Sequence, residues 1–120
     1  MISDEQLQEE IKKWRGQLSR GILELLILIL LQRERYGWDI LQLIRSLLPP
    51  SDPPIADGTI YNILNRLKKR ELLSSENVVI EGRMRRYLKL TTSGIKLLNK
   101  MIEDWEQTMG SINEALEISK

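Results

Sequence analysis

Between Thr59 and Lys100 the chain carries Arg66, Lys68, Lys69, Arg70, Arg83, Arg85, Arg86, Lys89, Lys96 and Lys100, against only Glu71, Glu76 and Glu81. Ammonium and guanidinium groups at that density suit a polyanion. Amide and hydroxyl side chains set among them supply the donors and acceptors that read base edges. Two clusters stand out. In the first, Ile60, Ile63, Leu64 and Leu67 recur at i, i+3, i+4 and i+7, which predicts a helix from about Asp57 to Arg70 or Leu72 with one buried stripe. At 100° per residue its opposite face is Asn62, Asn65 and Lys69, flanked by Thr59, Tyr61, Arg66 and Lys68. No acid falls between Asp57 and Glu71, whereas a plain solvated helix, the alternative, would mix Glu with Lys.

The second cluster is Gly82-Arg83-Met84-Arg85-Arg86, three guanidiniums at a turn, suited to phosphate or a narrow minor groove. Basic residues also protect exposed strand edges, and that alternative stays open for the cluster taken alone. The net charge of +1 conceals this basic middle, because Glu103, Asp104, Glu106, Glu114 and Glu117 make the tail acidic.

Other chemistries are excluded by composition. The chain has neither Cys nor His, so disulfides, thiolate or imidazole metal sites, a Cys nucleophile and a His base are all unavailable. No glycine-rich phosphate loop occurs, and the remaining carboxylates, Ser and Lys have no spacing that singles them out. Neither an enzyme, nor a cofactor, nor a metal is expected. Gly21–Leu31 is strongly apolar, but it is about half the ~20 residues a bilayer needs and contains Glu24, so it reads as a buried core helix and no membrane partner is expected. The acidic Met1–Glu5 lacks the basic start of an export signal, and a cytoplasmic location is expected.

The elements that must position the two clusters follow from periodicity. With 120 residues, 42% of them apolar, one compact domain is expected, its core aliphatic for want of Phe. Leu7, Ile11, Trp14 and Leu18 predict a first helix from Ser3, separate from a central helix over Gly21–Leu31. Tyr36-Gly37 breaks the pattern. Trp38–Leu48 resumes it with Ile40, Leu41, Ile44, Leu47 and Leu48 on one face, and a loop holding all four prolines runs from Pro49 to Asp57, the expected N-cap. From Leu73 the period becomes two. Ser75–Ile80 and Arg83–Leu90 predict a hairpin turning at Glu81-Gly82. Thr91-Thr92-Ser93 caps a last helix whose apolar positions, Ile95, Leu98, Ile102, Trp105, Met109, Ile112 and Leu116, alternate by three and four. That is the pattern of a coiled-coil seam between two copies of the chain. The expected order is four helices, a hairpin and a long helix: mainly α with a small β-hairpin, the layout of a winged helix-turn-helix with an extra N-terminal helix (1–16), a DNA-binding domain (17–91) and a C-terminal dimerisation helix (92–120).

Leu23-Glu24-Leu25-Leu26-Ile27-Leu28, Tyr36-Gly37-Trp38-Asp39-Ile40, Asp57-Gly58-Thr59-Ile60-Tyr61 with Leu67, and Gly82 through Thr91 stand in an order and spacing that resemble the PadR family. Each motif is weak alone, and four in register are specific. The resemblance covers about Gly16 to Gly94. It implies a winged-helix transcription factor, usually a repressor, that dimerises through its C-terminal helix, places Thr59, Tyr61 and their exposed neighbours in the major groove, and uses Gly82–Arg86 as the wing. A single helix after the wing is similar to the short-tailed branch, and the helix before Gly16 departs from the leanest pattern. The resemblance also raises a small planar hydrophobic effector stacked at Trp105 near Met101 and Met109. The plainer reading is that Trp105 packs the dimer, with Trp14 and Trp38 as packing residues too. A palindromic operator bound by a homodimer, a ligand sensor and a winged-helix module for protein partners are the functions to be distinguished.

Overall fold

A computed structural model of the chain describes residues 1–49 and 54–120. Its elements are α1 (Asp4–Leu30), β1 (Arg35–Tyr36), α2 (Gly37–Leu47), α3 (Asp57–Lys69), β2 (Leu73–Ile80), β3 (Arg83–Leu90) and α4 (Thr92–Ile118). Residues 50–53 of the expected proline loop lie outside the described residues.

The two N-terminal helices expected from the sequence are one. α1 runs 27 residues without interruption through Gly16 and Gly21. Its start is a capping box: the Gln6 amide donates to Ser3 Oγ at 3.2 Å and the Ser3 amide donates to Gln6 Oε1 at 2.7 Å. At its other end Arg35 Nε, from β1, donates to the Leu30 carbonyl at 2.8 Å and so satisfies an acceptor left free by the helix end. The halves of α1 differ in environment. Residues 1–21 are exposed, whereas every residue from Ile22 to Leu31 is buried or half-buried, as expected for a central helix.

Around that half of α1 pack Ile40, Leu41 and Ile44 from α2, the full stripe Ile60, Ile63, Leu64 and Leu67 from α3, Leu73, Leu88 and Leu90 from the sheet, and Leu98 from α4. Among the described residues this forms one aliphatic core cluster. Three residues depart from expectation. Leu47 is exposed, since α2 ends there and the chain turns away at Leu48. Trp14 and Trp38 are each 56% exposed and do not pack the core of one chain.

The sheet is antiparallel in the order β1-β3-β2, with Ile80 opposite Arg83 and Leu73 opposite Leu90. Glu81 (φ 51°) and Gly82 (φ 77°) both take positive φ, as a two-residue type I′ hairpin turn demands. β1 adds only Arg35 opposite Leu88 and Tyr36 opposite Tyr87. β3 is therefore a central strand at its C-terminal half and a free edge from Arg83 to Arg86. The Tyr36 and Tyr87 rings pair at a centroid distance of 4.9 Å. The Tyr87 phenol has its pKa raised above the ordinary value, first by hydrogen bonding to Glu34 and then by burial.

A compact junction joins α3, β2 and α4. α3 ends in a Schellman motif: Leu72 N–H donates to the Leu67 carbonyl and Glu71 N–H to that of Lys68, both at 3.0 Å, with Glu71 at φ 60°. Thr91, the N-cap of α4, accepts from the Gly94 amide at 3.1 Å and donates through Oγ1 to the Glu71 carbonyl at 2.7 Å. Its own amide donates to the Leu72 carbonyl. Gly94 lies directly over that carbonyl. A Cβ there would sit well inside 3.0 Å of Leu72 O, 3.1 Å from Leu72 C and 3.3 Å from Leu90 Cδ2.

The seam of α4 divides in two. Leu98 belongs to the core of its own chain, at 1% exposure, so it cannot serve a partner as the heptad pattern led one to expect; Met101 and Ile102 are half-buried against that same core. Trp105, Ile112 and Leu116 are exposed, as is Ile95, and Met109 is half-buried. The projecting halves of the two long helices give the molecule its extents of 58 × 31 × 22 Å.

Candidate nucleic-acid interface

Burial of its stripe fixes the rotation of α3, so its opposite face is set by the core. Thr59, Asn62, Asn65, Lys68 and Lys69 are all exposed and Tyr61 is half-buried. The helix begins one residue earlier than the cap signal implied. Ala56 is the N-cap, without a side-chain bond, and Asp57 is the first helical residue. The Asp57 carboxylate instead accepts from the Arg45 guanidinium of α2, a link from helix to helix across the connecting loop. Helices α2 and α3 thus form the helix-turn-helix pair, with α3 outermost.

The structure brings the two basic clusters together. Arg86 Nη1 donates to Asn65 Oδ1 at 3.2 Å, tying the wing strand to the exposed row of α3. Beyond it Arg83 is exposed at the tip beside Gly82, and Arg85 is half-buried. Arg66 departs from this row. Its guanidinium pairs with Glu24 of α1 at 3.4 Å, its side chain is 37% exposed, and its Nε is buried without a partner. In this arrangement Arg66 braces α3 against α1 and does not face outward with Asn62 and Asn65. Periodicity could not foresee this, because Arg66 borders both faces of the helix and its partner lies far off in sequence.

Tyr36 and Trp38, to which the sequence assigns no binding role, lie beside this surface. Between the start of α2 and the free edge of β3 lies a cleft of about 510 Å³, lined by Trp38 and Tyr36, by Tyr61 of α3, and by Met84 with its neighbouring arginines. Trp38 and Met84 are 56% and 69% exposed. The sequence signal that could have found Trp38 is its place in the first turn of α2, where Ile40, Leu41 and Ile44 already fill the buried stripe. Among the described residues no group of three or more acidic side chains could hold a metal ion, and no helix is long and apolar enough to cross a membrane.

A buried-stripe helix whose outer face carries amides and lysines, next to an arginine-bearing hairpin, defines a winged helix-turn-helix DNA-binding regulator. The family model described as the transcriptional regulator PadR-like family matches residues 25–100, and the chain belongs to that family. It is 30% identical over 105 residues to a protein of Lysinibacillus sphaericus known only as an uncharacterized protein, covering 86% of this chain and 95% of the relative. A PadR family transcriptional regulator from Eggerthella lenta superposes with a TM-score of 0.72 at 27% identity, covering 92% of this chain and 96% of its own. A PadR-like transcriptional regulator from Bacillus cereus gives a TM-score of 0.72 at 25% identity, with 83% and 96% covered.

Proposed function

We propose that the chain is a repressor that binds a palindromic operator as a homodimer, one half-site per subunit. The observation that carries this reading is the continuous surface formed by the exposed row of α3 and the wing, joined at Asn65 and Arg86. In it Asn62 and Asn65 read base edges in the major groove with Thr59 and Tyr61 beside them. Lys68, Lys69 and the wing residues Gly82, Arg83, Arg85 and Arg86 engage the phosphate backbone. The exposed Trp105, Ile112 and Leu116 of α4 support the homodimer, with the exposed stripe of α1 available to pack beside them. Paired recognition helices then meet half-sites about 34 Å apart, one turn of DNA.

The test is binding to random duplex across a salt series, followed by operator selection. Lys69→Ala is expected to weaken all sequences alike and to lower the salt slope by about 0.9. Asn62→Ala relaxes the selected preference. A wild-type protein that binds no duplex at low salt overturns the reading. A selected site without two-fold symmetry overturns the palindrome.

A small planar hydrophobic effector is supported by Trp105, at 40% exposure, with Met109 half-buried one helical turn further on. Quenching of tryptophan emission by planar aromatic compounds, lost in a Trp105→Ala variant that stays dimeric, is the expected result. No quenching across a broad panel removes the effector.

A further inference from the structure

The cleft at the start of α2 has an unusual combination of linings. From α2, Trp38 leaves large apolar surface in water, as Met84 does from β3. Arg83, Arg85 and Arg86 line the same space, and neither Glu34 nor Asp39, the carboxylates nearest Trp38 in sequence, lines it. The two-residue length of β1 creates the cleft: β3 stays unpaired on that edge from Arg83 to Arg86, and α2 begins at Gly37, at once after the short pairing ends.

An occupant that matches both linings must be anionic and must also offer apolar C–H surface. Tyr61 decides which kind. It stands on α3 and also lines the cleft, so the space opens directly onto the surface that reads bases. A chain passing from one to the other has to be elongated. We infer that the cleft seats the sugar–phosphate strand bordering the groove that α3 enters, with the Trp38 indole against a deoxyribose and its Nε1–H turned to a phosphate. This makes Trp38 a DNA-binding residue, and it rests on the function proposed above. Met84 adds apolar surface to the cleft, and the guanidiniums neutralise adjacent phosphates. The contact carries no sequence information, so it adds affinity to every duplex equally.

The experiment uses the full chain in a Trp14→Phe, Trp105→Phe background, in which Trp38 is the sole tryptophan, titrated with a random-sequence duplex at low salt. Emission from Trp38 is expected to change in step with binding. Trp38→Ala should weaken random and selected duplexes alike by about tenfold, with Trp38→Phe recovering most of the loss. Ethylation interference should show at least one phosphate that matters to the wild type and not to Trp38→Ala. Because Trp38 is exposed, the variant keeps its fold, which circular dichroism verifies. Saturated binding with unmoved Trp38 emission, or a Trp38→Ala protein that binds as the wild type does, overturns the assignment of the cleft and leaves the proposed function standing. A wild type that binds no duplex overturns both.

Discussion

Replacing Gly94 by alanine tests the junction that joins α3, β2 and α4. The added Cβ falls well inside 3.0 Å of the Leu72 carbonyl oxygen and is crowded by Leu90 Cδ2 at 3.3 Å. The obstacle is backbone, so no side-chain rotation relieves it. Relief requires α4 to lift away from Leu72. That movement stretches the bond from the Thr91 amide to the Leu72 carbonyl (3.2 Å) and the bond from Thr91 Oγ1 to the Glu71 carbonyl (2.7 Å). Two hydrogen bonds at about 1 kcal/mol each, added to about 1–3 kcal/mol for a displaced packing contact, give a loss of about 3–5 kcal/mol. For a chain of this length that lowers Tm by about 12–20 °C. Thermal unfolding followed by far-ultraviolet circular dichroism measures it. A drop of less than about 3 °C would mean that the junction yields without breaking those bonds, and the reasoning would be wrong.

Gly110 provides the opposite case, being exposed inside α4 with nothing within 4 Å of an added Cβ. Gly110→Ala should therefore raise stability by about 1 kcal/mol and Tm by about 4 °C in the same assay. Because Arg66 is engaged by Glu24, Arg66→Gln should leave the slope of log affinity against log salt unchanged, where Lys69→Ala lowers it by about 0.9; an equal drop in a salt series would show that Arg66 swings out to DNA. Trp105→Glu adds a fourth acid to Glu103, Asp104 and Glu106 on the exposed part of α4. It should convert the proposed dimer to monomer in sedimentation at micromolar concentration; a dimer that survives would place the interface elsewhere.

The recognition helix, the hairpin with its turn and the Thr91 cap were legible because each depends on local pattern: a 3.6-residue stripe, a two-residue alternation and a capping hydroxyl. What escaped depends on partners distant in sequence. Gly16 and Gly21 look like breaks, yet good helix formers on both sides carry α1 through them. β1 is too short to have a periodicity of its own and exists only by pairing with Tyr87 and Leu88. Asp57 has the composition of a cap, but the guanidinium of Arg45 claims its carboxylate. In α4 the alternation of three and four marks an apolar stripe without saying whose core it enters. Leu98 enters its own, whereas Ile95 and, beyond Ile102, Trp105, Ile112 and Leu116 are exposed. The placement of Trp38 was missed for a related reason, since a tryptophan next to an apolar run reads as packing until the run is seen to be complete without it.

The continuity of α1 has a mechanical consequence. Its buried half is embedded among the residues that fix α3, and its exposed half projects as a rigid rod, the whole helix about 40 Å long. There is no hinge between the two. In the proposed dimer, a tilt of about 5° at the projecting end of this rod sweeps its other end through about 3.5 Å, close to the rise of one base pair. In that proposed dimer the helix acts as a lever arm, converting small changes of angle at the contact between subunits into displacements of a few ångströms between the two α3 helices.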